Sequence, residues 1–130
     1  MSDNRIESGR RGEILAWEYL QNRGYKLITR NYRFRRGEID LIVESPEGDL
    51  VFVEVKTSHG NQAGEPEEWV TPRKQRQIQR VAQGYCLGLE AERAMRFDVV
   101  GVDLDAPALS EKSVRHIPNA FLPDAMGYFR

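Results

Sequence analysis

The spacing of apolar residues changes along the chain from a helical period to a strand period, and this change predicts the first elements. A helical spacing runs from about Gly9 to Asn22, with Ser8 as the expected N-cap and Gly24 as the expected C-terminal stop. One face of this helix carries Glu13, Ala16, Trp17 and Leu20. Glu13 therefore extends an apolar face, where a carboxylate needs either a structural salt bridge or a metal ion.

Three strand-like runs follow this helix. The first is Tyr25–Tyr32, and a basic hinge at residues 33–37 separates it from the second, Glu38–Glu44. Alternation in the second run predicts one face formed by Glu38, Asp40, Ile42 and Glu44, and an opposite face formed by Ile39, Leu41 and Val43.

The third run, Leu50–Thr57, alternates in the same way. One face carries Val51, Val53 and Val55, and the other carries Phe52, Glu54 and Lys56. The short turn at residues 45–49 contains proline and glycine, which predicts that the second and third runs form an antiparallel hairpin. This hairpin would bring Asp40 close to Glu54 and Lys56.

The second half of the chain predicts a loop, a helix and two more strands. Residues 58–69 lack periodicity and are expected to form a loop. Thr71-Pro72 should start a helix that runs to about Gly88, with an apolar stripe of Ile78, Val81, Ala82, Tyr85 and Leu89. Strands are expected at Met95–Leu104 and Ser113–Ile117. The order α-β-β-β-α-β-β favours an α/β fold with a central mixed β-sheet flanked by helices.

Length and composition favour a single domain in a reducing compartment. The 130 residues are expected to form one domain over residues 1–130, with flexible ends at residues 1–8 and 122–130. A single cysteine, Cys86, favours a reducing environment. No apolar run approaches the roughly 20 residues of a membrane span, and the first residues lead into no signal-peptide core. We therefore expect a cytoplasmic protein without a membrane partner.

Charge is segregated along the chain although the net charge is only −1. Residues 23–36 contain six basic residues and no acid, and residues 73–80 contain four and no acid. Such segregation can form a local basic face that binds nucleic acid, whereas the alternative for each cluster is an ordinary solvated surface. The candidate phosphate contacts are Arg33, Arg35, Arg36, Arg73, Lys74 and Arg76.

The acids of the hairpin suggest a metal site. Asp40 precedes Glu54 by thirteen intervening residues, and together with Glu13 they offer oxygen ligands suited to Mg²⁺, with Mn²⁺ as a substitute. Lys56 shares the face of Glu54, and its ammonium could orient water or stabilise the charge that develops on a phosphodiester. The alternative for this pair is a structural ion pair, but its apolar surroundings make the burial of unpaired charges costly.

Other common catalytic patterns are missing from the sequence. His59 and His116 have no ligand-spaced neighbours, and each is expected to be a surface or packing residue. The chain has no phosphate loop with Walker spacing, no dinucleotide fingerprint and no serine-centred elbow.

Taken together, these motifs resemble the YraN-like family of the PD-(D/E)XK nuclease superfamily, which is related to archaeal Holliday-junction resolvases. The matching segments are Gly12-Glu13, Asn31-Tyr32-Arg33, Gly37-Glu38-Ile39-Asp40-Leu41-Ile42, Phe52-Val53-Glu54-Val55-Lys56, Lys74, Arg96-Phe97-Asp98 and Asn119-Ala120-Phe121. Two positions depart from the pattern. Ile39 stands where the superfamily motif has proline, and Ser58 stands where relatives are expected to have arginine.

The resemblance implies a restriction-endonuclease-like fold with a defined set of site residues. Asp40 and Glu54 would be the metal ligands, Lys56 the catalytic lysine and Glu13 an assisting acid. A two-fold homodimer is also implied, because a four-way junction is cut at two symmetric places.

The expected activity is metal-dependent endonuclease cleavage of DNA phosphodiester bonds, directed by a junction or a flap. One alternative is a DNA-binding module that keeps the nuclease fold but cleaves weakly or not at all. Another is an interaction protein whose acids only form salt bridges.

Overall fold

The computed structural model describes residues 4–60, 66–106 and 113–122. Within these ranges the chain forms two α-helices, one short 3₁₀ helix and five β-strands. The helices are α1 (Asn4–Gln21) and α2 (Pro72–Cys86), and the 3₁₀ helix is Pro66–Trp69. The strands are β1 (Lys26–Phe34), β2 (Gly37–Glu44), β3 (Leu50–Ser58), β4 (Met95–Asp103) and β5 (Val114–Phe121).

The five described strands form one mixed sheet in the order β1-β2-β3-β4-β5. The pairs β1–β2, β2–β3 and β4–β5 are antiparallel, and β3–β4 is parallel. The parallel pair requires a crossover connection, which contains α2. The predicted hairpin, the mixed α/β sheet and the order α-β-β-β-α-β-β are thereby confirmed.

Both faces of the sheet are buried, each under one α-helix. The cluster under α2 includes Ile42, Phe52, Ile78, Val81 and Phe97. The cluster under α1 includes Ala16, Leu20, Val43, Val53 and Val100. Because β3 contributes to both clusters, residues 50–54 are buried without interruption. Glu54 is therefore a charged group at the end of a buried run of β3.

The first helix begins earlier than predicted. Since α1 starts at Asn4, Ser8 lies inside the helix and is not its N-cap. The Ser8 hydroxyl is instead hydrogen-bonded to Nε2 of His59 at 3.0 Å. Residues 5–7 contain no helix breaker, and Glu7 in the first turn interacts favourably with the helix dipole.

The two chain ends that we expected to be flexible are described only in part. Residues 4–8 are helical, whereas residues 1–3 and 123–130 lie outside the described ranges. The predicted stop of α1 is confirmed, because Gly24 adopts a left-handed φ of 89° in the turn that follows the helix.

Two strands are longer than predicted. β1 continues through Arg33 and Phe34, which reduces the basic hinge to a two-residue turn, Arg35–Arg36. β5 extends to Phe121, although Pro118 and the left-handed Asn119 interrupt its alternation. β5 is an edge strand, where a proline is tolerated because its missing N–H need not pair.

One residue of β2 packs on the face opposite to that predicted. Ile39 packs with Ile42 in the cluster under α2, whereas Leu41 and Val43 pack under α1. The regular β2–β3 register ends with Leu41 opposite Val53. Simple alternation therefore breaks at Asp40, where β2 is no longer held in register by β3.

The connection between β3 and α2 is partly helical. The 3₁₀ helix replaces the end of the predicted loop, and residues 61–65 lie outside the described ranges. α2 begins as predicted, because the Thr71 hydroxyl accepts a hydrogen bond from the backbone N–H of Lys74 at 3.2 Å. The helix ends at Cys86, slightly before the predicted Gly88. No helix in the described ranges is long and apolar enough to cross a membrane.

Candidate metal centre

Asp40 lies where the β2–β3 register ends. Its Oδ2 accepts a hydrogen bond from the backbone N–H of Val55 at 2.8 Å. This side-chain acceptor takes the place of the main-chain carbonyl that a regular hairpin would supply. Asp40 is consequently held beside Glu54 although the regular pairing of the two strands has ended.

Glu54 is the buried acid of the site. Only 7% of the residue is exposed. Its carboxyl group interacts with that of Asp40, which affects the pKa of both acids, and Nζ of Lys74 on α2 lies 3.9 Å from Glu54 Oε2. The structure therefore brings Asp40 and Glu54 together, as the hairpin predicted.

Two further carboxylates, Glu13 of α1 and Glu38 of β2, converge on Asp40. One oxygen from each of these three residues lies within 4.8 Å of the others. The amide Nδ2 of Asn31 donates to Oε1 of Glu13 and to Oε1 of Glu38, each at 3.0 Å. Arg33 Nε also pairs with Glu38 Oε2 at 3.1 Å. Asn31 and Arg33 thus hold the acids in place from β1.

Sequence reasoning did not select Glu38 or Asn31 for the site. The signal for Glu38 was available, because a two-residue spacing puts it on the same strand face as Asp40. Asn31 gave no such signal. Its backbone has a left-handed φ of 49°, a conformation that side-chain periodicity does not encode.

The acids of the site repel one another. Burial, followed by repulsion from Glu54, raises the pKa of Asp40 well above its usual value. Burial also raises the pKa of Glu54, against the opposing effects of Lys74, Asp40 and Lys56. The pKa of Glu13 is raised by burial, against the hydrogen bond from Asn31. A cation bound among these groups would favour their ionised forms.

The residues present fit a hard divalent cation. The donors are carboxylate oxygens, the ligands that Mg²⁺ and Mn²⁺ prefer, and Asp40 connects Glu54 to the group formed with Glu13 and Glu38. Neither histidine belongs to this group. His59 is hydrogen-bonded to Ser8 and pairs with Asp105, and His116 pairs with Asp98.

Lys56 lies on the same strand as Glu54, two residues further along β3. It is half-buried, and its ammonium group lowers the pKa of Glu54. Lys74 acts on the same carboxylate from α2. Two ammonium groups therefore balance part of the negative charge of the site.

The predicted phosphate contacts occupy different surroundings. Arg33 is paired with Glu38 and borders the acids. Lys74 is paired with Glu54 and so belongs to the site itself. The remaining four are exposed at the β1–β2 turn and on the first turns of α2: Arg35, Arg36, Arg73 and Arg76.

A second buried polar cluster lies on the sheet face covered by α1. The side chain of Asp98 is fully buried and accepts hydrogen bonds from Arg96 Nε at 3.0 Å and from the backbone N–H of Asn119 at 2.9 Å. Nε2 of His116 lies 2.7 Å from its other oxygen, and the His116 ring packs edge-on against Tyr19 of α1. This cluster ties β5 to β4.

The fold and this site define an α/β protein with a carboxylate-lined candidate metal centre beside a β-hairpin. The model of the family described as "Uncharacterised protein family UPF0102" matches residues 12–102, a span that includes all the acids of the site. The chain belongs to the UPF0102 family. The predicted resemblance to the YraN-like family is confirmed as membership of the UPF0102 family.

Two relatives match over nearly their whole length. A UPF0102 protein of Chlorobium chlorochromatii is 48% identical over 118 residues, which cover 88% of this chain and 91% of the relative. A UPF0102 protein of Desulforamulus reducens is 42% identical over 122 residues, which cover 92% and 99%, respectively.

Among solved structures, SfsA of Pyrococcus furiosus in complex with Ca²⁺ matches 89% of this chain and 62% of its own chain, at 16% identity and a TM-score of 0.33.

Proposed function

We propose that this chain is a Mg²⁺-dependent endodeoxyribonuclease of the PD-(D/E)XK superfamily, with a restriction-endonuclease-like fold. The proposal rests on the convergence of Asp40, Glu54 and Lys56 at one end of the β2–β3 hairpin. The hydrogen bond from Val55 fixes Asp40, and the buried part of β3 fixes Glu54. Both carboxylates are therefore positioned before a ligand binds, which limits the entropy lost on binding.

The residues that would hold the ion are Asp40 and Glu54, with Glu13 and Glu38 as sources of further oxygens. When bound, Mg²⁺ or Mn²⁺ polarises phosphoryl oxygens and lowers the pKa of coordinated water. Both groups must be ionised to act as ligands, so protons retained because of their raised pKa values would be released on binding.

Lys56 supplies a positive charge from the protein itself. Its ammonium group only donates hydrogen bonds, so it can orient a water through the oxygen lone pair or stabilise phosphate oxygens that gain negative charge. Lys74 has a different role in this proposal. Its pairing with Glu54 at 3.9 Å keeps that carboxylate balanced before DNA binds.

The exposed arginines supply contacts to DNA. Arg35 and Arg36 lie at the β1–β2 turn, and Arg73 and Arg76 lie on α2. Contacts to phosphates position a duplex without specifying its sequence. We therefore propose that the structure of the DNA, a junction or a flap, directs cleavage, and that its sequence does not. A four-way junction cut at two symmetric places requires a homodimer.

A second candidate function is DNA binding without cleavage. It is favoured by the contacts that already satisfy the acids within the chain. Asn31 bridges Glu13 and Glu38, and Lys74 pairs with Glu54. A site with internally balanced charges can persist without a cation, and DNA binding would then be independent of Mg²⁺.

A cleavage assay separates the two candidates. The full chain is incubated with blunt duplex, flap, four-way junction and single-stranded DNA, each with Mg²⁺, Mn²⁺ or EDTA. We expect metal-dependent cleavage by the wild type, its loss in Asp40→Ala and Lys56→Ala, and its retention in Glu18→Gln, which alters an exposed acid on α1. Cleavage that survives both of the first two substitutions would contradict the proposal. DNA binding without cleavage of any substrate would favour the second candidate.

A further inference from the structure

A groove of about 860 Å³ lies between the β1–β2 turn and α2. This volume falls within the range of about 300–1,000 Å³ that is typical of ligand sites. Phe34, Arg35 and Arg36 form one wall, and Gln77, Arg80 and Gln83 of α2 contribute to the other.

The lining of the groove combines positive charge with apolar surface. It contains three arginines, Arg35, Arg36 and Arg80, and no acid among its lining residues. The arginines suit phosphates. The Phe34 ring and the side-chain amides of α2 offer the stacking surface and the hydrogen-bonding groups that suit a nucleobase.

Arg35 adopts a backbone conformation that disfavours a side chain. Its φ is 56°, in the left-handed region, at the first central position of the two-residue turn between Phe34 and Gly37. Glycine and asparagine are the residues favoured at such positions. The arginine instead places a guanidinium 5.3 Å from the centroid of the Phe34 ring, at the groove. Strain of this kind is a reason to assign a function to the side chain.

The Phe34 ring packs closely on the backbone of α2 at Gly84, which has no side chain to keep the ring away. A Cβ added to Gly84 would lie 2.8 Å from atoms of the ring. The ring is therefore packed close to the helix backbone and fixed in the groove wall. A fixed aromatic ring beside a guanidinium is an arrangement on which unpaired bases stack.

The groove adjoins the candidate metal centre. Gln77 Nε2 donates to the carbonyl oxygen of Arg36 at 3.1 Å. One helical turn before Gln77, Lys74 pairs with Glu54 of the site. On the sheet, Gly37 precedes Asp40 by three residues, which is about 10 Å of extended strand. One DNA strand can therefore extend from the groove to the acids.

We infer that this groove binds an unpaired nucleotide of a DNA strand, with its base on Phe34 and its neighbouring phosphates on the arginines. A base inside a duplex is already stacked and cannot reach the ring without being extruded. The groove therefore favours flaps and single-stranded extensions as substrates. The cleavage of such substrates rests on the proposed function, whereas binding in the groove does not.

Equilibrium binding in EDTA tests the inference without cleavage. Fluorescence anisotropy compares a blunt duplex, the same duplex with a short single-stranded extension, and a third version whose extension is abasic. We expect the extension to tighten binding by at least about fivefold, because each stacked base contributes measurably to affinity. The abasic extension should lose most of this gain, since it keeps the phosphates but not the bases.

Three variants locate the effect. Arg35→Gly and Phe34→Leu should lose the preference for the extension. Because Arg35→Gly also relieves the backbone strain, its unfolding temperature should not fall by more than a few degrees, which separates lost binding from lost folding. Lys26→Gln alters an exposed cation at the opposite end of β1 and should keep the preference.

Equal wild-type affinity for blunt and extended DNA would overturn the inference, as would a preference that both groove variants retain. Tighter binding of the same extension made of RNA would overturn the assignment to DNA. The cleavage assay gives a separate result. A wild type that prefers the extension but cleaves nothing would contradict the nuclease proposal and support the groove.

Discussion

The carboxylate of Asp40 accepts a hydrogen bond of 2.8 Å from the backbone N–H of Val55, the residue that follows Glu54 in β3. This bond fixes one acid of the site to the strand that carries the other. It also satisfies a backbone donor at the end of the β2–β3 register, where the regular pairing stops. Burial raises the pKa of both acids, and repulsion from Glu54 raises that of Asp40 further, so the hairpin holds them together at a free-energy cost that a cation would relieve.

Replacement of Asp40 by asparagine should abolish metal binding without unfolding the protein. Asparagine keeps an oxygen that can accept the Val55 N–H, but it removes one charge from a repelling pair. The melting temperature of the variant without metal should equal or exceed that of the wild type. For the wild type, Mg²⁺ at a hundredfold excess over Kd should add about 2.7 kcal/mol of stability.

Differential scanning fluorimetry with and without Mg²⁺ measures both effects, and Glu18→Gln is the matched control. If Asp40→Asn gained as much stability from Mg²⁺ as the wild type, Asp40 would not be a ligand.

Affinity for Mg²⁺ should increase as the pH rises through the raised pKa values of Asp40 and Glu54. Below these values the pair keeps a proton that competes with the ion, and above them both groups are ionised. In the metal-free protein the raised pKa values have the opposite effect on stability, which decreases with pH where the affinity for Mg²⁺ increases. The folded state holds protons that the unfolded chain has released, so this contribution to stability falls as the pH rises.

Isothermal titration calorimetry at a series of pH values, in buffers of different ionisation enthalpy, measures the affinity and the proton release. A pH-independent affinity without proton release would show that the ion binds elsewhere.

Features that depend on strand alternation could be predicted from the sequence. The two-residue spacing of Glu54 and Lys56 placed them on one side of β3, and the apolar residues around them predicted the buried strand. Ile39 was assigned to the wrong face because alternation stops at Asp40. The contact with the Val55 N–H at this point joins two strands, and no pattern within one strand contains it.

Features that depend on how distant elements meet could not be predicted. Serine is a favoured N-cap residue, but the hydroxyl of Ser8 is hydrogen-bonded to His59, which is 51 positions away in the sequence. Lys74 lies in a basic run and was expected to contact phosphate, yet it pairs with Glu54 across the α2–β3 interface. In both cases a tertiary contact gives the residue an environment that differs from the one its local sequence predicts.

Alanine at Gly12 should force α1 away from β3. An added Cβ would lie 2.2 Å from Oγ1 and 3.2 Å from Cβ of Thr57. Alanine favours the helix by about 1 kcal/mol, but overpacking costs about 1–3 kcal/mol. We therefore expect a net loss of up to about 2 kcal/mol in the free energy of unfolding. The stabilisation by Mg²⁺ should also weaken, because Glu13 follows Gly12 and would be displaced from Asp40.

The double variant Gly12→Ala/Thr57→Ala tests whether this contact is the cause. Without the Thr57 hydroxyl and methyl groups, the added Cβ meets less obstruction. The double variant should therefore be more stable than the sum of the two single effects predicts. Strict additivity in urea unfolding would rule out the clash as the origin of the loss.

Stability in acid should depend on Asp98. Burial alone would raise the pKa of its carboxyl group, but hydrogen bonds from His116, Arg96 and the Asn119 N–H outweigh burial and lower it. The folded-state pKa therefore lies below that of the unfolded chain. The resulting stabilisation is complete above the unfolded-state pKa and is lost as the pH falls towards the folded-state value, because the unfolded chain takes up the proton first.

Asp98→Asn should lower the free energy of unfolding near neutral pH by about 3 kcal/mol, the lower end of the range for breaking a buried ion pair. The lower end applies because Arg96 would still have carboxylate partners in the variant. Its Nη1 lies 3.8 Å from Glu47 Oε1 and 3.7 Å from Asp49 Oδ2. Urea unfolding from neutral to acid pH should show the difference between wild type and variant shrinking as the pH falls. Glu18→Gln, which alters an exposed acid on α1, is the control. A difference that stayed constant into acid would assign the cost to packing and hydrogen bonding instead of the charge of Asp98.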